Sequence, residues 1–144
     1  MRSKNNYVAS YCGWCSAIEA GTFDGEFERI YGMAEVANWR ANYLEALVSF
    51  SEHYGNQGEF VIARCPGQMN IMGMHVDYGG MPSVRLAVRG ADTLVVARAS
   101  EGSMQVRLSS RLRCAGEPEG RFEPIEIDLS SILPVERVND RQDL

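Results

Sequence analysis

The chain has 144 residues, 45% of them hydrophobic and 23% charged, with a formal net charge of -5. That is about one domain's worth of chain, long enough to bury a core without disulfides or metal. The acidic balance and the lack of a run of about 18 apolar residues exclude a basic nucleic-acid binder, a protein of anionic lipid surfaces and a helical membrane span. Of 14 basic residues only Lys4 is a lysine, and the arginines are scattered without forming a patch.

The N-terminus, Met1-Arg2-Ser3-Lys4-Asn5-Asn6, is basic and polar, but no apolar stretch follows it as an export signal requires. No Asn-x-Ser/Thr sequon is present. The expected compartment is the cytoplasm, with the cysteines reduced. Residues 1–25 read as an irregular extension, because Gly13, Gly21 and Gly25 interrupt any period. Within it, Cys12-Gly13-Trp14-Cys15 has C-x-x-C spacing. A redox pair needs that spacing at a helix N-terminus after a strand, and neither element is legible here. A zinc site needs a second ligand pair, and Cys65 and Cys114 stand alone without a nearby histidine. The cysteines are therefore read as structural thiols.

A helix is predicted over residues 33–54. Trp39, Tyr43, Leu47, Phe50 and Tyr54 recur at steps of three and four and define one face, which Leu44 and Val48 widen. This stripe reads as core contact. Gly55 suits the position after the helix, and His53 suits the negative end of the helix dipole. The period then falls to two. Residues 59–64 read as a strand that Pro66-Gly67 stops or turns. A helix-free segment rich in Met and Gly follows over 68–82, then further strand patterns at 93–97, 104–108 and 125–129. A turn-rich stretch lies between Cys114 and Gly120. Residues 135–144 are polar and resemble a chain cut short. The expectation is an α+β fold, one long helix and then mostly antiparallel strands.

Chemistry concentrates in Pro66-Gly67-Gln68-Met69-Asn70-Ile71-Met72-Gly73-Met74-His75-Val76-Asp77-Tyr78-Gly79-Gly80. Glycines allow close approach of backbone to a ligand. His75 and Asp77, two residues apart, project to one side of an extended chain. Polar groups among glycines and methionines suit a concave site for a small polar ligand. Spacing alone leaves two other readings open: a metal pair short of its third ligand, and a buried histidine satisfied by its neighbour.

Pro66-Gly67, Asn70-Ile71, Gly73, His75, Asp77-Tyr78 and Gly80 resemble the galactokinase signature of the GHMP sugar kinases, P-G-R-V-N-L-I-G-E-H-x-D-Y-x-G-G. The resemblance extends over residues 26–134, through the preceding helix and strand, through Leu86-Ala87-Val88 and 93–98, and on to 122–129. It implies the opening portion of a domain like the second domain of ribosomal protein S5. It also implies ATP-dependent phosphorylation of a small sugar, typically at the anomeric hydroxyl, with magnesium. Asp77 would accept hydrogen bonds from sugar hydroxyls, with His75 and Tyr78 beside it and Gly79-Gly80 letting the backbone curve round the ring.

Two positions depart from the pattern. Gln68 stands where the family has an Arg that stabilises the transferring phosphoryl group, which weakens the expectation of catalysis at that point. Met74 replaces a glutamate that contacts a sugar hydroxyl, so a sugar other than galactose is expected. The family's glycine-rich phosphate loop is not legible, since no glycine cluster precedes Ser109-Ser110 or Ser130-Ser131. Residues 1–144 alone are thus expected not to transfer phosphate. The alternative is a catalytically inactive sugar-binding or regulatory relative. The expected partner is a small sugar, with no nucleic acid and no membrane; the oligomeric state is not legible.

Overall fold

The computed structural model describes residues 8–73, 79–80, 82–100, 102–111 and 123–131. The chain divides into two compact units, Met1–Ala99 and Ser100–Leu144. The first holds a short strand β1 (Ala9–Ser10), helices α1 (Tyr11–Glu19), α2 (Asp24–Tyr31) and α3 (Val36–Tyr54), and strands β2 (Glu59–Met72) and β3 (Val84–Arg98). The strands form one antiparallel sheet in the order β1-β2-β3.

Helix α3 bears out the aromatic stripe. Trp39 and Leu47 are buried, and Tyr43, Leu44 and Phe50 pack beside them. The helix proper begins at Val36 because a 3₁₀ turn, Met33–Glu35, occupies the predicted first residues. It ends where Gly55 takes a φ of +79° and donates its N–H to Ser51 O at 2.9 Å. The cation that serves its last carbonyls is Arg98, which donates to Tyr54 O at 2.9 Å. His53 Nδ1 instead lies 2.8 Å from Ser49 O within its own helix.

Residues 8–25, expected to be irregular, carry regular structure. Residues 11–19 are α1, and α2 begins at Asp24. Gly13 does not break α1 because it lies in the first turn, where its N–H is capped by Ser10 Oγ at 3.1 Å. The apolar signal is short but periodic: Trp14 and Ile18, then Phe27 and Tyr31, sit four apart and are buried. Gly21, at φ +75°, lets the chain leave α1 and turn into α2. Among the described residues, two helices and a short strand therefore precede the long helix that the sequence places first.

Trp14, Ile18, Leu47 and Phe60 form the main core, and Phe27, Tyr31 and Trp39 form a second cluster. Each fully buried side chain of this kind contributes about 1.5–3 kcal/mol. Trp14 also donates its indole N–H to Phe60 O at 2.9 Å, tying α1 to β2.

Pro66-Gly67, expected to stop or turn the strand, do not end it. β2 pairs with β3 from Phe60↔Arg98 to Pro66↔Asp92, shifts register, and resumes at Gly67↔Val88. Arg89, Gly90 and Ala91 bulge from β3 at that point. A proline fits there because it has no N–H to give to the ladder. Gly67 is required by space, since a Cβ would lie 2.6 Å from Ala91 O. The runs at 86–88 and 93–98 are in consequence one bulged strand.

In the second unit β4 (Gln105–Leu108) and β5 (Ile125–Asp128) pair antiparallel, and Leu129 N–H donates to Met104 O at 2.7 Å. β5 stops before the predicted 129 because Asp128 Oδ1 accepts from Ser130 N at 2.9 Å and Ser130 Oγ at 2.6 Å, closing a tight turn. The turn-rich stretch between Cys114 and Gly120 and the polar end 135–144 lie outside the described residues. The whole is α+β, a long helix followed by antiparallel strands, as expected.

Candidate functional site

The signature begins on the far half of β2 and ends where β3 starts. Beyond the register shift Gln68 faces Ala87, Met69 faces Leu86 and Asn70 faces Arg85. Cross-strand partners share a face of the sheet. Gln68, Asn70, Arg85 and Ala87 therefore make one polar face, and Met69 and Leu86 belong to the other. All of these side chains are exposed. Gln68 is thus placed on a regular strand, near Asn70 and Arg85.

Met72 pairs with Val84, so the connection that carries the rest of the signature leaves and rejoins the sheet at one place. Gly73 fixes this closure. It has a φ of +82°, and a Cβ on it would lie 2.8 Å from both Pro82 O and Ser83 Cα. Any other residue would push the ends apart. Gly80 also has a positive φ, +71°, and nothing lies within 4 Å of a Cβ built on Gly79. Those two glycines are exposed. Met74, His75, Asp77 and Tyr78 lie outside the described residues.

The sequence reading missed the group that holds this hairpin. Arg64 grips Asp92 with two bonds across β2 and β3, Nε to Oδ2 at 2.8 Å and Nη2 to Oδ1 at 3.2 Å. The Asp92 side chain is fully buried, and Tyr31 donates its hydroxyl to Oδ2 at 2.5 Å. The Arg64 guanidinium lies 5.4 Å from the centre of the Tyr31 ring, and that ring stacks on Trp39 at 3.8 Å. Burial first, and then donation to Asp92, push the Tyr31 hydroxyl well above the ordinary tyrosine value, so it remains a donor. The bond to Asp92 likewise raises Arg64 and keeps it charged.

This cluster ties both strands to α2 and α3 immediately before the register shift, since Asp92 pairs with Pro66. It positions the hairpin at the point where the signature begins, since Pro66 is its first residue. A sequence signal for it exists. Arg64 keeps phase with the inward Phe60 and Ile62, and Asp92 with Leu94 and Val96, which places opposite charges on core-facing positions. Among the described residues no group of three or more His, Cys, Asp or Glu side chains converges as a metal site would need. No helix among them is long and apolar enough to cross a membrane.

Residues 48–99 match the family model described as the galactokinase galactose-binding signature. The matched span runs from the last turns of α3 through the whole β2–β3 hairpin. No solved structure matches the chain.

Proposed function

We propose that the chain, whose residues 48–99 match the galactokinase galactose-binding signature, is a relative of the galactokinase-like GHMP kinases and binds a small sugar at the tip of the β2–β3 hairpin. The observation that carries this reading is the coincidence of the match with a hairpin closed at Gly73 and held at Arg64–Asp92. Asp77, supported by His75 and Tyr78, accepts hydrogen bonds from sugar hydroxyls. Such bonds to an ionised carboxylate contribute about 1.5–3 kcal/mol each and select the face of the ring presented. Gly79 and Gly80 leave room for the ring beside the backbone. Met74 replaces a carboxylate with an apolar thioether, which favours an aldose lacking the corresponding hydroxyl.

The reaction served is ATP-dependent phosphorylation of that sugar at its anomeric hydroxyl, with magnesium, in the cytoplasm. The described helix starts do not fit a triphosphate. The first turn of α2 carries Asp24 and Glu26, α3 follows Glu35, and the first turn of α1 is capped by Ser10. The part of these residues is therefore sugar recognition. Gln68, uncharged on its strand, favours a second reading in which a relative of the kinases retains the sugar site without catalysis.

Calorimetry with a panel of aldoses tests the proposal. One sugar should bind, and Asp77→Ala should weaken it by about 10- to 150-fold, the equivalent of one charge-assisted hydrogen bond. Binding that ignores Asp77, or no binding by any aldose, would refute it. Saturable ATP turnover with the bound sugar would eliminate the inactive reading.

A further inference from the structure

Cys12, Cys15 and Cys65 are free thiols. The structure supplies both conditions that the C-x-x-C spacing lacked in the sequence. Strand β1 pairs with β2 and leads directly into α1, whose first turn carries Cys12. Cys12 is exposed, and Cys15, three residues on, is half-buried. Residues at this spacing are neighbours on a helix surface.

The two residues between them hold the turn in place. Gly13 has its N–H on Ser10 Oγ, and Trp14 is buried with its indole N–H on Phe60 O. Ile18, fully buried, anchors the next turn. Among the described residues no group of three or more His, Cys, Asp or Glu side chains gathers at the thiols as a metal site would need.

We propose that Cys12 and Cys15 are a redox-active dithiol that closes to an intramolecular disulfide by exchange with a low-molecular-weight disulfide such as oxidised glutathione. Cys12, the accessible sulfur, attacks as thiolate. Its S–S bond to one glutathione half forms as the glutathione disulfide breaks, and the other half leaves as thiolate. Cys15 then gives its proton to solvent and attacks the Cys12 sulfur, expelling the second glutathione. Two electrons and two protons pass in total from the protein pair to the small disulfide, which leaves as two thiols. Burial, the largest influence, raises Cys15, and the neighbouring Glu19 and Cys12 add to this against a hydrogen bond with Tyr11. A thiol kept protonated until the second step suits the resolving role. The device is independent of the sugar site.

The test uses the 144-residue chain equilibrated across ratios of reduced to oxidised glutathione, acid-quenched, alkylated and mapped by peptide mass. Cys12 and Cys15 should lose alkylation together, appear as a linked pair, and recover on reduction. Cys15→Ser should accumulate a glutathione adduct on Cys12. Cys65 is also exposed and serves as the internal control. Cys65 should stay alkylated where the pair has closed, and in urea, where the helix is gone, closure should need a more oxidising glutathione ratio. Alkylation of both thiols across the whole range, or a closure ratio unchanged by urea, would overturn the proposal.

Discussion

The two halves of the β2–β3 hairpin obey different rules. Before the register shift, Phe60, Ile62 and Val96 face the helices, and Phe60 is fully buried. After it, Met69, Ile71, Met72, Val84 and Leu86 are between 47% and 66% exposed. One half is held by the core and one stands clear of it, although the strands are continuous. The near half supplies stability. The far half, relieved of packing, is free to present backbone and polar groups to a ligand. Arg64–Asp92 marks the boundary between them.

Substitutions in the core should show the largest difference between the halves. Phe60→Ala is expected to cost about 3–5 kcal/mol, whereas Leu86→Ala should stay within about 0.5 kcal/mol. Urea unfolding midpoints compare them directly, and equal costs would abolish the distinction. At the boundary, Asp92→Ala leaves Arg64 and the Tyr31 hydroxyl without their shared acceptor and should cost about 1.5–3 kcal/mol. Circular dichroism melts of the variant should retain the helical signal below the transition, because α1 and α3 keep their own core contacts.

The parts of this arrangement were unequally legible in the sequence. Helix α3 could be read because its stripe spans several turns and Gly55 ends it. Helix α1 was hidden, since its period rests on Trp14 and Ile18 alone and Gly13 looks like a break until Ser10 is seen to cap it. Pro66-Gly67 reads as a stop in any local view. What makes it a bulge is the approach of Ala91, distant in sequence. The Arg64–Asp92 pair has the same non-local origin, and only the inward phase of each charge hinted at it. The signature was legible because its information is local, and the family match covers residues 48–99 of the 26–134 over which the resemblance was expected.

Smaller effects refine the comparison. Ser10→Ala removes the cap of α1 and should cost about 1 kcal/mol in the same urea assay. The least effect is electrostatic. Arg40 donates from Nε to Asp24 Oδ1 at 2.6 Å and holds that carboxyl below its ordinary value of 3.8. A carboxyl depressed in the folded state stabilises above its unfolded value, and the gain is lost as pH falls through the lower folded one. The urea midpoint of Asp24→Asn should therefore be less sensitive to acid below about pH 4 than that of the parent chain. An identical acid dependence would remove Asp24–Arg40 from the account.

The division of labour is tested most directly by following backbone amide shifts while the sugar that binds is titrated in. The shifts should concentrate in 67–73 and 79–88, on the far side of the register shift, and leave α1 and the buried turns of α3 unmoved. Shifts centred on the helices, with the hairpin tip silent, would contradict it.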